Sequence, residues 1–407
     1  MSAHELALLL AVAGGAAAAA LALEPVARAL GVPTPLAFLL GGLLLGEVWD
    51  GSHAAARPSA IAIVGTVALV IVLLQGGYIC GLAAVREQLG AVLGLGIAGT
   101  AATFGLLALA AHSLAGLSWT QALLLGAVLS PTDPAAVFAA VSRAGAGGAR
   151  IVRLLEAEAG FNDPVAIALT VALVAAAGSG HIEASSIIWT TAREAVLGAV
   201  VGLVAGLLAA RVLGPRWPTL AMAPPLAVLA GAFATFGLGA LAHGSGFVAV
   251  YLYGLVLGDD ADLPQADAVR SFGEQLASLA EIAMFVLLGV ALAQVPLRHA
   301  LLDAVLLTVA LVLVVRPLLV YPALRALRRS RGEAVFATVG GLKGAVPILL
   351  AALPLQAHLA GSDRVFALAG LVVLASLAFQ GPAVARMAPR LALPGSEVLT
   401  RENLSTP

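Results

Sequence analysis

Thirteen apolar stretches, each close to the length of a membrane-crossing helix, follow one another along this chain with short joins between them. They lie at about 5–23, 33–49, 59–84, 89–115, 118–141, 151–177 and 187–213, then at 220–241, 244–258, 272–295, 299–324, 333–359 and 365–388. About 20 residues of helix span the hydrocarbon core, and inside lipid a backbone must satisfy its own hydrogen bonds, which leaves helices and closed barrels. The expected fold is therefore an all-α polytopic membrane protein of about 13 transmembrane helices. Composition agrees, with 61% hydrophobic and 11% charged residues, against about 25% charged in a soluble domain. The 45 glycines suit close helix contacts in lipid. No basic segment precedes residues 5–23 and a second apolar run follows at once, so they read as the first membrane helix rather than a signal peptide.

The cationic residues supply a topology. With loops numbered from the N-terminus, the odd side holds 15 of the 21 Lys and Arg side chains and the even side holds 4. Positive residues stay cytoplasmic, which predicts a multi-pass cell-membrane protein with its N-terminus outside and its C-terminus in the cytoplasm. The other two, Arg316 and Lys343, fall inside membrane segments, and Lys343 is the only lysine in the chain. A net charge of -1 with no basic stripe gives no nucleic-acid surface, and Cys80, the only cysteine, excludes an intrachain disulfide and a cysteine metal cluster.

Two segments carry their own interruption. Segment five contains Ser130-Pro131-Thr132-Asp133-Pro134, where two prolines remove amide donors and push the residues before them out of the helical region. Segment twelve contains Gly340-Gly341-Leu342-Lys343-Gly344-Ala345-Val346-Pro347, whose glycines and proline predict a second break around a lysine. Non-helical backbone at membrane depth survives only when protein or a water-filled cavity satisfies it. Segment five is the fifth of segments one to six, and segment twelve the fifth of eight to thirteen. With a linker helix at about 187–213, repeat one (about 5–177) and repeat two (about 220–388) would have inverted topology, ahead of a short cytosolic tail at 389–407. Broken helices at matching places in inverted halves mark a transporter site near the midplane.

Segment six adds Glu156-Ala157-Glu158-Ala159-Gly160-Phe161-Asn162-Asp163-Pro164. Glu158 and Asn162 are four apart and share a face, while Asp163 is turned from Asn162 by about 100° and lies near mid-bilayer. Glu156 reads as a structural carboxylate near the start of the helix. Near the centre, Asp133, Glu158 and Asp163 oppose Arg316 and Lys343, which leaves one carboxylate without a fixed partner. A proton or a cation can neutralise such a group, and competition between them is the physical basis of exchange. Glu281, inside segment ten, has no place in this count from sequence alone.

The run Glu158 to Asp163, with Ser130 to Pro134 and Gly340 to Pro347, resembles the membrane domain of the monovalent cation:proton antiporter-1 family. Asn162-Asp163-Pro164, Arg316-Pro317-Leu318, Gly341 to Pro347 and Ser376-Leu377-Ala378-Phe379-Gln380-Gly381 are most similar to its potassium/proton, cell-volume-regulation branch. The resemblance covers nearly the whole chain. It implies a thirteen-helix fold, a homodimer, and elevator-like movement of a six-helix core against a dimerisation domain. It implies that Asp163 binds the cation or proton, supported by Asn162 and lined by Thr132 and Asp133, with Asp163 and Thr132 as transient ligands of a monovalent cation. Glu158 would pair with Arg316, and Lys343 would join the structural ion pairs. The resemblance, through its Asn-Asp arrangement with one titrating carboxylate, also implies electroneutral one-for-one exchange.

The sequence departs from the family pattern in three places. Ala159 stands where many sodium/proton relatives have a serine that touches the ion. Lys343 replaces an arginine and lacks its planar fork. The chain also stops at Pro407, so regulation by an attached cytosolic domain is not expected. The missing serine favours potassium over sodium. No cofactor is expected beyond the transported K+ or Na+ and H+, the partners are lipid and a second copy, and no enzyme chemistry is indicated. A cation channel, a cation-coupled symporter and a non-transporting relative of the fold remain the rival readings, although no filter-like repeat or charged ring supports a channel.

Overall fold

The computed structural model describes residues 33–48, 57–87, 90, 92–133, 149–180, 182–214, 223–259, 263 and 265–391. Among the described residues every regular element is helical, and eight helices are long and apolar enough to cross a membrane by themselves. Twelve of the thirteen expected segments contain a helix. The first, at 5–23, lies outside the described residues, as do the second half of segment five and the side chain of Glu156.

In chain order the helices are α1 (Thr34–Val48), α2 (Pro58–Cys80), α3 (Thr100–Ala115), α4 (Trp119–Val128), α5 (Ala149–Gly178), α6 (Ala184–Leu213), α7 (Pro224–Leu241), α8 (Gly246–Gly258) and α9 (Ala266–Leu292). They continue as α10 (Leu301–Ala310), α11 (Arg316–Ala326), α12 (Arg331–Val339), α13 (Ala345–Gln356), α14 (Ser362–Ala375) and α15 (Gly381–Met387). π-Helical turns, which often mark functional positions, lead into α3 (Val92–Gly99) and join α10 to α11 (Leu311–Val315) and α14 to α15 (Ser376–Gln380).

Local chemistry starts and stops these helices. Gly116, at φ 61°, ends α3 in the left-handed conformation that glycine adopts without a Cβ penalty. Two residues on, the Ser118 hydroxyl accepts from the Gln121 amide at 3.4 Å while the Gln121 side chain accepts from the Ser118 amide at 3.2 Å, a reciprocal cap that opens α4. Ser330 and Glu333 repeat the device at the start of α12, at 3.1 and 2.9 Å.

The helices pack mainly in two groups: α1, α2 and α6–α9 in one, and α3–α5 with α10–α15 in the other. In the first group α1 and α9 touch through their backbones. A Cβ on Gly42 would strike Val286, and one on Gly289 would strike Leu39, so small residues set the helix separation. On the outside, α6 leaves Ile188, Trp189, Val196, Val200 and Leu208 exposed, an apolar face for lipid rather than water. The second group holds both interruptions, and the groups meet where α13 lies against α2 and α9, and α5 against α6.

Candidate ion site

The first interruption follows α4. Helical pairing ends with the Leu129 amide on Leu125, and Pro131 to Asp133 have no regular structure. The second spans Gly340 to Gly344, between α12 and α13. Pro347 does not belong to this break. It lies in the first turn of α13, where a helix has no use for the missing amide hydrogen, so the glycines alone make the gap.

The two gaps meet. The Asp133 amide donates to the Leu342 carbonyl at 2.8 Å, one backbone rung between them. Carbonyls in the first gap and at the helix end before the second are each held by a cation. Lys343 Nζ, fully buried, donates to the Pro131 carbonyl at 2.7 Å and to that of Ser130 at 3.3 Å. Arg316 Nε and Nη2 donate to Thr338 and Ala337, in the last turn of α12, at 3.2 and 3.0 Å. Cations at the negative end of a helix are favourable, and here they replace the water that the carbonyls would otherwise need.

Glycine makes this proximity possible. A Cβ on Gly341 would collide with the Arg316 guanidinium, and one on Gly344 with the Asp133 carboxyl group. The Lys343 amide donates to Ser376 Oγ at 3.0 Å, and Ser376 Oγ donates to Gln380 Oε1 at 2.8 Å, so the π-turn between α14 and α15 braces the second gap.

Helix α5 runs past both gaps and presents two faces. On one, Arg316 Nη1 donates to Glu158 Oε1 at 3.2 Å, and both side chains are almost wholly buried. One turn on, Asn162 Nδ2 donates to Thr132 Oγ1 at 2.7 Å, and Asn162 Oδ1 accepts from the Thr132 amide at 3.4 Å. This double bond to Thr132 holds the extended backbone of the first gap against α5. On the other face Asp163 is partly exposed, and its Oδ1 is buried with no hydrogen-bond partner among the described residues. Asp163 feels the charges of both Asp133 and Lys343.

The sequence-predicted residues are therefore brought together: Thr132 and Asp133 from the first gap, Lys343 from the second, Glu158, Asn162 and Asp163 from α5, and Arg316 from α11. Lys343 differs from expectation. Its ammonium donates to the gap carbonyls of Ser130 and Pro131, and the charges of Glu158 and Asp163 act on it with no ion pair among the described residues. Glu281 of α9, unplaced by sequence, lies in the middle of that helix and is partly buried. A cavity of about 200 Å³ opens on the Glu158–Asn162 face, lined also by Thr100, Thr103, Ser130 and Arg316. Glu158 Oε2 is buried there without a hydrogen-bond partner among the described residues, and the cavity is large enough for a few waters. Among the described residues no three His, Cys, Asp or Glu side chains gather to hold a resident metal.

Two stretches of non-helical backbone meeting around buried ionisable groups, in a membrane fold whose described elements are all helical, fit an architecture of ion-coupled transporters. The chain belongs to the transmembrane sodium/hydrogen exchanger family, which matches residues 15–389. It is similar to the K(+)/H(+) antiporter NhaP of Alkalimonas amylolytica, 34% identical over 365 residues, 89% of this chain and 63% of that protein. It is 33% identical over 374 residues to the K(+)/H(+) antiporter NhaP2 of Shewanella sp. (strain MR-4), 90% of this chain and 64% of the relative. The chain thus spans a little under two thirds of both relatives' length. In fold it is similar to the sodium proton antiporter MjNhaP1 of Methanocaldococcus jannaschii, with a TM-score of 0.80 and 23% identity over 97% of this chain and all of that one.

Proposed function

We propose that the protein exchanges a monovalent cation for a proton across the cell membrane, with Asp163 as the carrier of either. The observation that carries this reading is Asp163 Oδ1, buried without a hydrogen-bond partner among the described residues, on a helix that packs against the elements beside both gaps. The fixed cations nearby are occupied: Arg316 holds Glu158 and the end of α12, and Lys343 holds the end of α4. Asp163 keeps a free acceptor that a proton can bond or a cation can ligate. Thr132 Oγ1 has a second lone pair for the same cation. Asp133 adds negative charge near Asp163, which favours binding of a proton or a cation there.

One carboxylate taking either one H+ or one monovalent cation makes exchange electroneutral. Potassium is favoured over sodium: Ala159 offers no hydroxyl to the ion, and relatives sharing about a third of the sequence carry K(+)/H(+) in their names. The two helix groups supply the parts for alternating access by relative movement, and the exposed apolar faces suit a homodimer in lipid. The segment register supports inverted repeats at about 5–177 and 220–388 within one membrane domain, and the arginine asymmetry supports an outer N-terminus and a cytoplasmic C-terminus.

The test is proton flux from proteoliposomes carrying a pH dye, with K+, Na+ or Li+ added in turn. Alkalinisation of the lumen driven by K+ and insensitive to membrane potential is the expected result. A response to Na+ alone would replace the cation and leave the mechanism intact. Cation flux without proton movement would favour a channel and overturn the proposal.

A further inference from the structure

The end of α11 and the start of α12 carry Arg325, Arg328, Arg329 and Arg331. Arg325 Nη1 donates to the Arg329 carbonyl, which folds the Arg325 side chain back over the turn between the two helices. A second basic stretch lies against this turn. A Cβ on Gly332 would strike the Leu391 carbonyl, and α12 packs on α15. Arg390, and Arg386 about one turn before it, therefore arrive at the same end of the molecule. Five of these arginines are exposed and Arg329 is half-buried. Among the described residues none of the six forms an ion pair. Glu333, the carboxylate next to them in sequence, is buried and accepts from the Ser330 amide in the cap of α12. Exposed arginines at a membrane surface follow from the asymmetry of positive charge, but Arg329 goes beyond that rule. Its Nη1 is buried with no hydrogen-bond partner among the described residues, and a buried charged donor left unpaired is costly.

We infer that this arginine cluster binds the phosphate of an anionic lipid headgroup. Guanidinium forks match phosphate oxygens with paired hydrogen bonds. One phosphate gives Arg329 Nη1 an acceptor and offsets the mutual repulsion of the arginines around it. A free phosphate offers the same oxygens, but the surface of α11 selects the lipid. Val314 and Leu318 expose apolar side chains, and Arg325, seven residues beyond Leu318, stays on the same helix face. It lies about 10 Å further along the axis. The face that meets acyl chains thus ends in a guanidinium group, where headgroup phosphates begin, with exposed Leu327 beside it. About four to eight basic side chains at the end of a membrane helix are the general signature of anionic-lipid binding. α12 leads directly into the second gap, so a bound headgroup fastens the helix that supports this gap to the membrane surface.

The experiment measures the Tm of the full chain in neutral detergent with added phosphatidylglycerol, phosphatidylcholine or inorganic phosphate. It needs no exchange activity, so its outcome is independent of the reading of Asp163. Phosphatidylglycerol is expected to raise Tm by a few degrees, as a ligand of the folded state does, while phosphatidylcholine and inorganic phosphate leave it unchanged. The triple variant Arg325→Gln, Arg329→Gln, Arg390→Gln should lose most of that rise. Arg193→Gln, an exposed arginine near the start of α6, should keep it. An equal rise in the triple variant, or an equal rise with phosphatidylcholine, overturns the inference. A rise with inorganic phosphate that matches the lipid assigns the cluster to a free anion and overturns the lipid as its occupant. Should the triple variant fail to fold, Arg329→Gln alone decides: a diminished rise supports the inference and a full one overturns it.

Discussion

Glu158 and Asp163 sit five residues apart on α5, about 7.5 Å along its axis, and the protein treats them in opposite ways. Glu158 is buried against Arg316, whose other donors bind two carbonyls of α12. Asp163 lies on another face of the helix and keeps one oxygen without a partner among the described residues. A carboxylate that must carry an ion cannot be permanently paired, and a carboxylate that must hold two helices together cannot be free. Five residues turn the helix by about 140° beyond a full turn, enough to give each its own surroundings.

The strongest way to break this comparison is Asp163→Asn. It removes the charge with little change of volume, so exchange should fall to the level of empty vesicles while the protein elutes and melts as wild type. Normal exchange would show that the unpartnered oxygen is irrelevant. Glu158→Gln probes the other half. It leaves the Arg316 guanidinium buried without its counter-charge, and losing one partner of a buried pair costs about 3–5 kcal/mol. A clearly lowered Tm in detergent is the expected readout. An unchanged Tm would mean that the two carbonyls and water in the adjoining cavity satisfy Arg316 unaided.

How far the sequence foretold this depends on the kind of signal. Apolar runs made the helix order legible, because lipid demands uninterrupted hydrophobic length, and the two gaps were legible because proline and glycine act on the local backbone. The partner of Lys343 was not legible. A charge count pairs it with a carboxylate, but the ammonium goes to the carbonyls of Ser130 and Pro131, and backbone acceptors leave no mark in composition. Glu281 was hidden for a related reason. Nothing local to α9 tells that this helix packs on α13 across the boundary between the helix groups. The brace from Ser376 and Gln380 could have been suspected from two polar residues in an apolar run, although their target could not.

A smaller effect is expected from Asn162→Ala, which lies between the two carboxylates in sequence and in role. It removes both bonds to Thr132 and leaves a buried amide hydrogen unsatisfied, at about 1–3 kcal/mol. Exchange should weaken without vanishing, mainly through a higher KM, as the first gap loses its tie to α5. An unaltered KM would assign Asn162 to folding alone.

The smallest change separates what Thr132 does with its hydroxyl from what it does with its methyl. Thr132→Ser keeps the acceptor for Asn162 Nδ2 and the spare lone pair, and deletes one buried methyl, about 0.8 kcal/mol. Thr132→Val keeps the shape and deletes the hydroxyl. If the cation uses this oxygen, serine should leave KM close to wild type while valine raises it, even though valine fills the space better. The reverse order would mean that Thr132 only packs the first gap, and that the ion rests on carboxylate oxygens. The same pair of variants also bears on Asp163. A hydroxyl that helps the ion must reach it from the Asn162 face of α5, so a valine effect on KM would place the bound cation between the two faces of the helix, where the locked half and the free half of the site meet.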